Sequence, residues 1–444
     1  MSEHTAVKRP GWAHAVYAVV LIFALTQGPV LSWWIRRPEN AFSTKDIATW
    51  ATYLVAVLPA AWLSQRADSR KCTQSSPALF YVLFVGWMCL SFAWSSVPQV
   101  TVPAVLALAF TTLAGLYLAT QFETLELAVI VVVAMVPGLL LSELANHRHW
   151  QYSLDAVPHW TGIYLNRNSL GPPAVMAILT SAILVAQLLA KQWSAWRPAQ
   201  LLALLGVIAL GLHLQLHGGS RTSWVFLVAA IGVAAMWILV LSLSRSADLE
   251  LPRVILAGTL VAAIGVIVVA IYLGNNPIST RLGTSSDFSG RRVYWRYSLS
   301  VARDHITVGE GWMSPWFDPI SRVRLPPELV NETYSHSSFL DVLGGGGLVG
   351  IALLILTVSV SFLHIARRRM PLILQGWALG LCTGVLIAAS QESFLIGYHF
   401  LYLLFVAVAC SQPTTTNSRT LQRTHTWVQR RLQFERSARP VGPG

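Results

Sequence analysis

The chain is dominated by apolar runs long enough to cross a membrane as helices, with short polar loops between them. A spanning helix needs about 20 apolar residues, and 54% of the 444 residues are hydrophobic while only 11% are charged. An ordinary water-soluble enzyme, with about 25% charged residues, is therefore excluded. A transmembrane barrel is also excluded, because its strands alternate in polarity over about ten residues. We predict an all-α polytopic membrane protein.

About twelve membrane-spanning helices are predicted. They are 14–34, 46–64, 78–94, 102–121, 127–144, 170–190, 199–216, 222–243, 254–274, 337–363, 372–390 and 398–411. Basic residues set the orientation, because cytoplasmic loops are enriched in Lys and Arg. With the N-terminus inside, 18 basic residues are cytoplasmic and 6 lie in short external loops. Both termini are therefore expected in the cytoplasm.

This topology divides the chain into four regions. They are spans 1–9 (residues 1–274), one large external loop (275–336), spans 10–12 (337–411) and a basic cytoplasmic tail (412–444). Loops of this length are commonly functional, and the stretch from Ser289 to Asp304 is predicted to form an interfacial helix. The net charge of +12 is assigned to topology and to contacts with membrane lipids, so no nucleic-acid partner is expected.

Polar residues gather at the external mouths of the spans. Arg221 lies in a tight turn, where it either anchors the turn at the interface or binds an anion through its planar guanidinium. Arg291, Arg292 and Trp295 either contact lipid headgroups or recognise an anionic lipid-linked substrate. His336 lies where the long loop enters a span, in a structural role or as a proton acceptor. Two glutamates, Glu143 and Glu392, lie near span ends and are interpreted as interfacial or helix-packing carboxylates.

Four sequence motifs carry a resemblance to a known family. His336-Ser337, followed after nine residues by Gly347-Leu348-Val349-Gly350, resembles the histidine motif of bacterial O-antigen ligases. Ser220-Arg221-Thr222, Gly290-Arg291 with Trp295, and the stretch from Asn166 to Gly171 are similar to further motifs of the wider family of O-antigen ligases and polymerases. All four occur in the family order. Tyr334 stands where some members have a second histidine.

The resemblance implies a GT-C-like, inverting membrane glycosyltransferase of the bacterial inner membrane. Its donor would be a glycan linked to undecaprenyl diphosphate, its acceptor the lipid A–core oligosaccharide, and its active site would face the periplasm. His336 would accept the proton of the acceptor hydroxyl, and Arg221 and Arg291 would bind the diphosphate. The expected substrate-binding residues are Asn166, Arg167, Asn168, Ser220, Arg292, Trp295, Tyr334 and Asp341.

No cofactor is expected. The external acids Asp287, Asp304, Glu310, Asp318, Glu328 and Glu332 are scattered without a D-x-D pair, whereas metal-dependent transferases hold their cation with clustered carboxylates. We therefore expect metal-independent transfer.

Three alternatives remain open at this point. An O-antigen polymerase would use the same class of donor, and a protein O-oligosaccharyltransferase would be expected to carry an additional soluble domain. A transporter is disfavoured, because the spans show no internal repeat and few charges near the membrane midplane.

Overall fold

The computed structural model describes residues 11–26, 76–148, 159–164, 166–190, 195–243, 291–330, 332–395 and 399–411, with a few isolated helical residues between 253 and 263. The main elements in these ranges are helices. We number them α1 (Trp12–Leu25), α2 (Ser76–Leu90), α3 (Pro98–Gln121), α4 (Thr124–His147), α5 (Arg167–Leu189), α6 (Arg197–Gly218), α7 (Arg221–Leu243), α8 (Arg291–Asp304), α9 (Pro319–Arg322), α10 (Ser338–Arg367), α11 (Leu372–Ala389) and α12 (Phe400–Cys410).

The helices agree with the predicted membrane character. Seven of the described helices, α3 to α7, α10 and α11, are long and apolar enough to cross a membrane, and α1, α2 and α12 are shorter apolar helices. Each predicted span overlaps one of these helices, apart from two, and residues 27–34 of the first span lie outside the described residues. The span predicted at 46–64 lies outside the described residues, and only a few residues of the span at 254–274 are described.

The last two helices form the centre of the bundle. All residues of α12 are buried, and so are all those of α11 from Leu374 onward. Helix α7 packs along α11, α3 packs along α12, α2 packs along α10, and α5 lies between α4 and α6. By contrast, α6 is largely exposed, as expected for a helix at the lipid-facing perimeter. The turns that follow α11 are therefore held by the most buried part of the fold.

Helix α10 is interrupted at Gly347, where φ is 64° and ψ is −163°. A break leaves backbone groups without helical partners, and these must be satisfied by neighbours. The carbonyls of Gly344 and Gly345 accept from the backbone N–H groups of residues 310 and 311 at 2.8 and 3.1 Å. The indole of Trp87 donates to Gly346 O at 2.8 Å. The local break that the four-glycine run permits is thus present, and the segment 306–311 packs against it through backbone hydrogen bonds.

The stretch predicted to form an interfacial helix is helical from Arg291 to Asp304. Its buried face packs on α10, and a small separate core includes Tyr297, Val301 and Trp316. The contact of Tyr294 with His336 places the first turn of α8 beside the start of α10.

Candidate active site

One carboxylate connects several of the predicted motifs. Glu392 lies in the turn after α11 and is only 5% exposed. Its Oε1 accepts from Asn168 Nδ2 at 2.8 Å and from the guanidinium of Arg291. Its Oε2 lies 2.9 Å from His336 Nδ1. The first turn of α5, helix α8 and the entry to α10 therefore meet at a single buried side chain.

Asn168 extends this network to the turn between α6 and α7. Its Oδ1 accepts from Ser220 Oγ at 3.1 Å, and Ser220 Oγ is 3.0 Å from Ser223 Oγ. The turn is made possible by Gly219, which has a φ of +63° in the left-handed region that glycine adopts without steric cost. Arg221 follows immediately as the first residue of α7. Two predicted motifs are thus joined through one amide side chain.

The backbone at His336 is in a left-handed conformation, with φ of 53°. This is uncommon for a residue other than glycine and persists only where the surroundings enforce it. Here Ser335 Oγ bonds Ser337 O at 2.7 Å and Ser337 N at 3.1 Å, which locks the residues on both sides. Asp341 Oδ1 accepts from Ser335 N at 3.0 Å. The fold therefore holds the imidazole in one defined position.

The imidazole of His336 lies between two carboxylates and two phenol rings. Donation from Nδ1 to Glu392 leaves Nε2 as the acceptor nitrogen of the neutral ring, and Nε2 is 3.8 Å from Glu332 Oε2. Tyr294 makes an edge contact with the ring at 4.9 Å and donates to Glu332 Oε1 at 2.9 Å. Tyr334 lies at 4.5 Å. These four side chains therefore fix the orientation of the imidazole.

The phenol of Tyr294 remains a hydrogen-bond donor at neutral pH. Burial, and secondarily the adjacent Glu332 carboxylate, raise the pKa of Tyr294 to about 12. Tyr294 therefore holds Glu332 in place and does not compete with His336 for a proton.

Three arginines begin helices around the network. Arg167 and Arg221 are the first residues of α5 and α7, and Arg291 is the first described residue of α8. A cation at a helix N-terminus is unfavourable, because the backbone dipoles already place positive potential there. An anion would benefit from both the guanidinium groups and the free backbone N–H groups. Arg221 is exposed, and no described residue forms an ion pair with it.

The remaining predicted site residues are placed differently. Asn166 caps α5, since its Oδ1 accepts from Ser169 N at 2.9 Å. Trp295 is buried on the inner face of α8, and Arg292 is half-buried beside Arg291. Asp341 is 6% exposed and accepts from Ser335 N and from the hydroxyl of Ser393. Asn166 and Asp341 therefore use their polar atoms within the protein, where they position the residues beside them.

Comparison with known proteins supports the motif assignment. Residues 206–355 match the family described as O-antigen ligase. This segment is therefore similar to O-antigen ligases. The matched segment contains the Ser220-Arg221 turn, Arg291 and the His336 motif. No curated protein matches the chain significantly.

Two residues outside the segment matched to the O-antigen ligase family complete the network within it. Asn168 precedes the matched segment and Glu392 follows it, yet both contact its motif residues. Asn168 was expected at the site, whereas Glu392 was interpreted as an interfacial or packing carboxylate. The available sequence signal was an acidic residue in a short polar turn between two very apolar spans, where a charge is costly unless paired.

Proposed function

We propose that the chain is an O-antigen ligase, which transfers a glycan from undecaprenyl diphosphate to the lipid A–core oligosaccharide at the periplasmic face of the inner membrane. The observation that carries this proposal is the contact of Glu392 with both His336 and Arg291. It brings a residue able to accept a proton next to a residue able to bind a phosphate. Transfer from a lipid diphosphate to a sugar hydroxyl needs both functions.

In the proposed reaction, the acceptor hydroxyl oxygen attacks the anomeric carbon of the donor glycan. The new glycosidic C–O bond forms on the face opposite the leaving group, and the bond between the anomeric carbon and the diphosphate oxygen breaks. The hydroxyl proton passes to Nε2 of His336, and undecaprenyl diphosphate departs with the electron pair. Glu392 is a positioning residue that orients the imidazole and stabilises the imidazolium, as a carboxylate does in a catalytic triad.

Arg221 and Arg291 would stabilise the leaving group. Negative charge accumulates on the diphosphate as its bond breaks, and this charge is costly at the low-dielectric edge of a membrane unless it is opposed. Guanidinium groups contact phosphate through two parallel hydrogen bonds and stay charged. Asn168, Arg167 and the half-buried Arg292 would line the phosphate or sugar side. We propose that the transfer needs no metal ion.

Complementation of a ligase-null bacterial strain tests the substrate assignment. An O-antigen ligase should restore long O-antigen chains on lipid A–core, visible as a ladder on a lipopolysaccharide gel. A chain that instead extends a single capped repeat in a polymerase-null strain would be an O-antigen polymerase, and the ligase assignment would be wrong.

Cysteine labelling tests the side of the membrane on which the site lies. Val323 is 86% exposed in the external segment, and Arg369 is exposed after α10, on the predicted cytoplasmic side. In a cysteine-free background, Val323→Cys should react with an impermeant maleimide in intact spheroplasts and Arg369→Cys only after lysis. The reverse pattern would place the site in the cytoplasm and exclude a periplasmic reaction.

A further inference from the structure

We propose that Glu143, His147 and His213 form a Zn²⁺ site that is separate from the transfer site. Glu143 and His147 lie one turn apart near the end of α4, and His213 lies near the end of α6. His147 Nε2 is 2.8 Å and His213 Nε2 is 3.3 Å from the same atom, Glu143 Oε1. The proposal does not depend on the glycosyl transfer assigned above, since none of these residues takes part in it.

The spacing of the three side chains suits a tetrahedral metal ion. Zn²⁺ binds imidazole nitrogen and carboxylate oxygen at about 2.0–2.2 Å, so its ligand atoms lie about 3.3 Å apart. The ligand atoms of these three residues all lie within 4.8 Å of one another. Two imidazoles and one carboxylate also match Zn²⁺ in chemical type, whereas Mg²⁺ and Ca²⁺ prefer oxygen ligands. A fourth position would remain for water or another ligand.

The second carboxylate oxygen of Glu143 supports a ligand at this place. Oε2 is buried and has no hydrogen-bond partner among the described residues. Buried carboxylate oxygens are normally satisfied, and the contacts of Oε1 with the two histidines leave Oε2 unexplained. A cation bound between the three side chains would interact with the whole carboxylate.

An aromatic side chain holds the two helices in the required arrangement. Trp160 makes edge contacts with the rings of His147 and His213 at 5.7 and 5.4 Å. It also stacks on His217 at 4.3 Å, and its backbone N–H donates to His217 O at 3.3 Å. His217 in turn bonds the His213 carbonyl through Nδ1 at 2.9 Å. Metal ligands are usually fixed by such surrounding contacts.

His213 lies about two helical turns before Ser220 and Arg221. A bound ion would join the ends of α4 and α6 and would stiffen the base of the turn between α6 and α7. Its expected role is structural, and its loss should lower the melting temperature of the protein.

Zinc titration of the full-length protein tests the proposal. The protein is purified in detergent through a tag without histidines, stripped with chelator, and titrated with ZnCl₂ by calorimetry. One equivalent should bind, and Zn²⁺ should raise the melting temperature. Zinc binding should weaken by about 100-fold or more in each of three variants, His147→Ala, His213→Ala and the near-isosteric Glu143→Gln. Mutation of residues that merely support metal ligands already lowers metal affinity by up to about 100-fold.

A matched control is His305→Ala, which removes an exposed histidine of the external segment and should leave zinc binding unchanged. In the presence of chelator, the melting temperature of His147→Ala should equal that of the wild type, because His147 is exposed. Equal melting temperatures would show that the variant has lost metal binding and has not misfolded. If Zn²⁺ does not bind to the wild type, the proposal is wrong, and Glu143 forms only ion pairs with His147 and His213. Equal binding by the wild type and by folded His147→Ala and His213→Ala proteins would also overturn it, by showing that the metal binds elsewhere.

Discussion

Glu392 and His336 are 56 positions apart in the chain, and Oε2 of the glutamate lies 2.9 Å from Nδ1 of the histidine. The same carboxylate binds Arg291 and Asn168 through its other oxygen. The free-energy cost of burying this carboxylate is offset by its three hydrogen-bonded partners. The carboxylate also fixes the relative positions of groups from three parts of the fold. We infer that this carboxylate organises the site for transfer.

Replacement of Glu392 by Gln should lower the turnover number by about 10²–10⁴, because a neutral amide cannot stabilise the imidazolium of His336. The KM for the donor should change far less than the turnover number, and Glu392→Asp should retain more activity than Glu392→Gln. Reconstituted ligation measures both constants. The control is Glu328→Gln, which alters an exposed acid of the external segment. Full activity of Glu392→Gln would show that Glu392 does not position His336 for the reaction.

The arginine pair should be needed, and added metal should not be. Arg221→Lys and Arg291→Lys keep the charge but lose the planar two-pronged contact, so each should impair ligation, and the alanine variants should impair it more strongly. Ligation by the purified wild type should persist in excess EDTA. Activity that is lost in EDTA and restored by Mg²⁺ or Mn²⁺, or that survives both Arg→Ala changes, would contradict the proposed leaving-group stabilisation.

A side chain at position 347 should destabilise the protein at the break in α10. A Cβ there would lie 2.3 Å from the carbonyl oxygen of Thr307, and the backbone conformation alone costs a non-glycine residue about 1–3 kcal/mol. Gly347→Ala should therefore give little monodisperse protein and a lower melting temperature. Gly232→Ala in α7 is the control, because a Cβ there meets no atom within 4 Å. Similar behaviour of the two variants would show that the docked segment 306–311 is easily displaced.

Glu310 should make the stability of the segment between α8 and α10 depend on pH. Burial raises the pKa of Glu310 to about 7, against the lowering effect of the Ser321 hydroxyl 3.0 Å away. The folded protein therefore holds this proton more tightly than the unfolded chain, so the contribution to stability is complete below about pH 4.5 and is lost as the pH rises through 7. The loss should be about 1–3 kcal/mol.

Melting curves between pH 4.5 and 8 measure this contribution in detergent. Glu310→Gln should gain stability relative to the wild type as the pH rises, because the amide has no proton to lose. Glu328→Gln serves as the control. Parallel pH profiles of the wild type and Glu310→Gln would contradict the assigned shift.

Much of the helical architecture could be predicted from the sequence. Apolar runs locate helices directly, because a chain that crosses a membrane satisfies its backbone hydrogen bonds by forming a helix. The described apolar helices each overlap a predicted span. The glycine run 344–347 also indicated the break in α10. These features depend on the residues within one segment, so they can be predicted without knowing how the segments pack together.

The connections within the site could not be predicted in the same way. Glu392 contacts Asn168, 224 residues away, and Arg291, 101 residues away. Such contacts depend on which helices pack together. The alternation of apolar and polar segments in the sequence does not determine that packing. The hydrogen bonds of the Asp341 carboxylate with Ser335 and Ser393 likewise depend on tertiary packing, and its expected contact with substrate stays a prediction.

The rate of glycan ligation by purified His336→Ala tests the central claim most directly. Wild type, His336→Ala and the control His305→Ala are reconstituted with undecaprenyl-diphosphate glycan and lipid A–core, after their melting temperatures have been compared. We predict that His336→Ala folds normally and that its rate falls by about 10²–10⁴, as expected for loss of a general base, while His305→Ala keeps the wild-type rate. Ligation by His336→Ala at the wild-type rate would contradict the account.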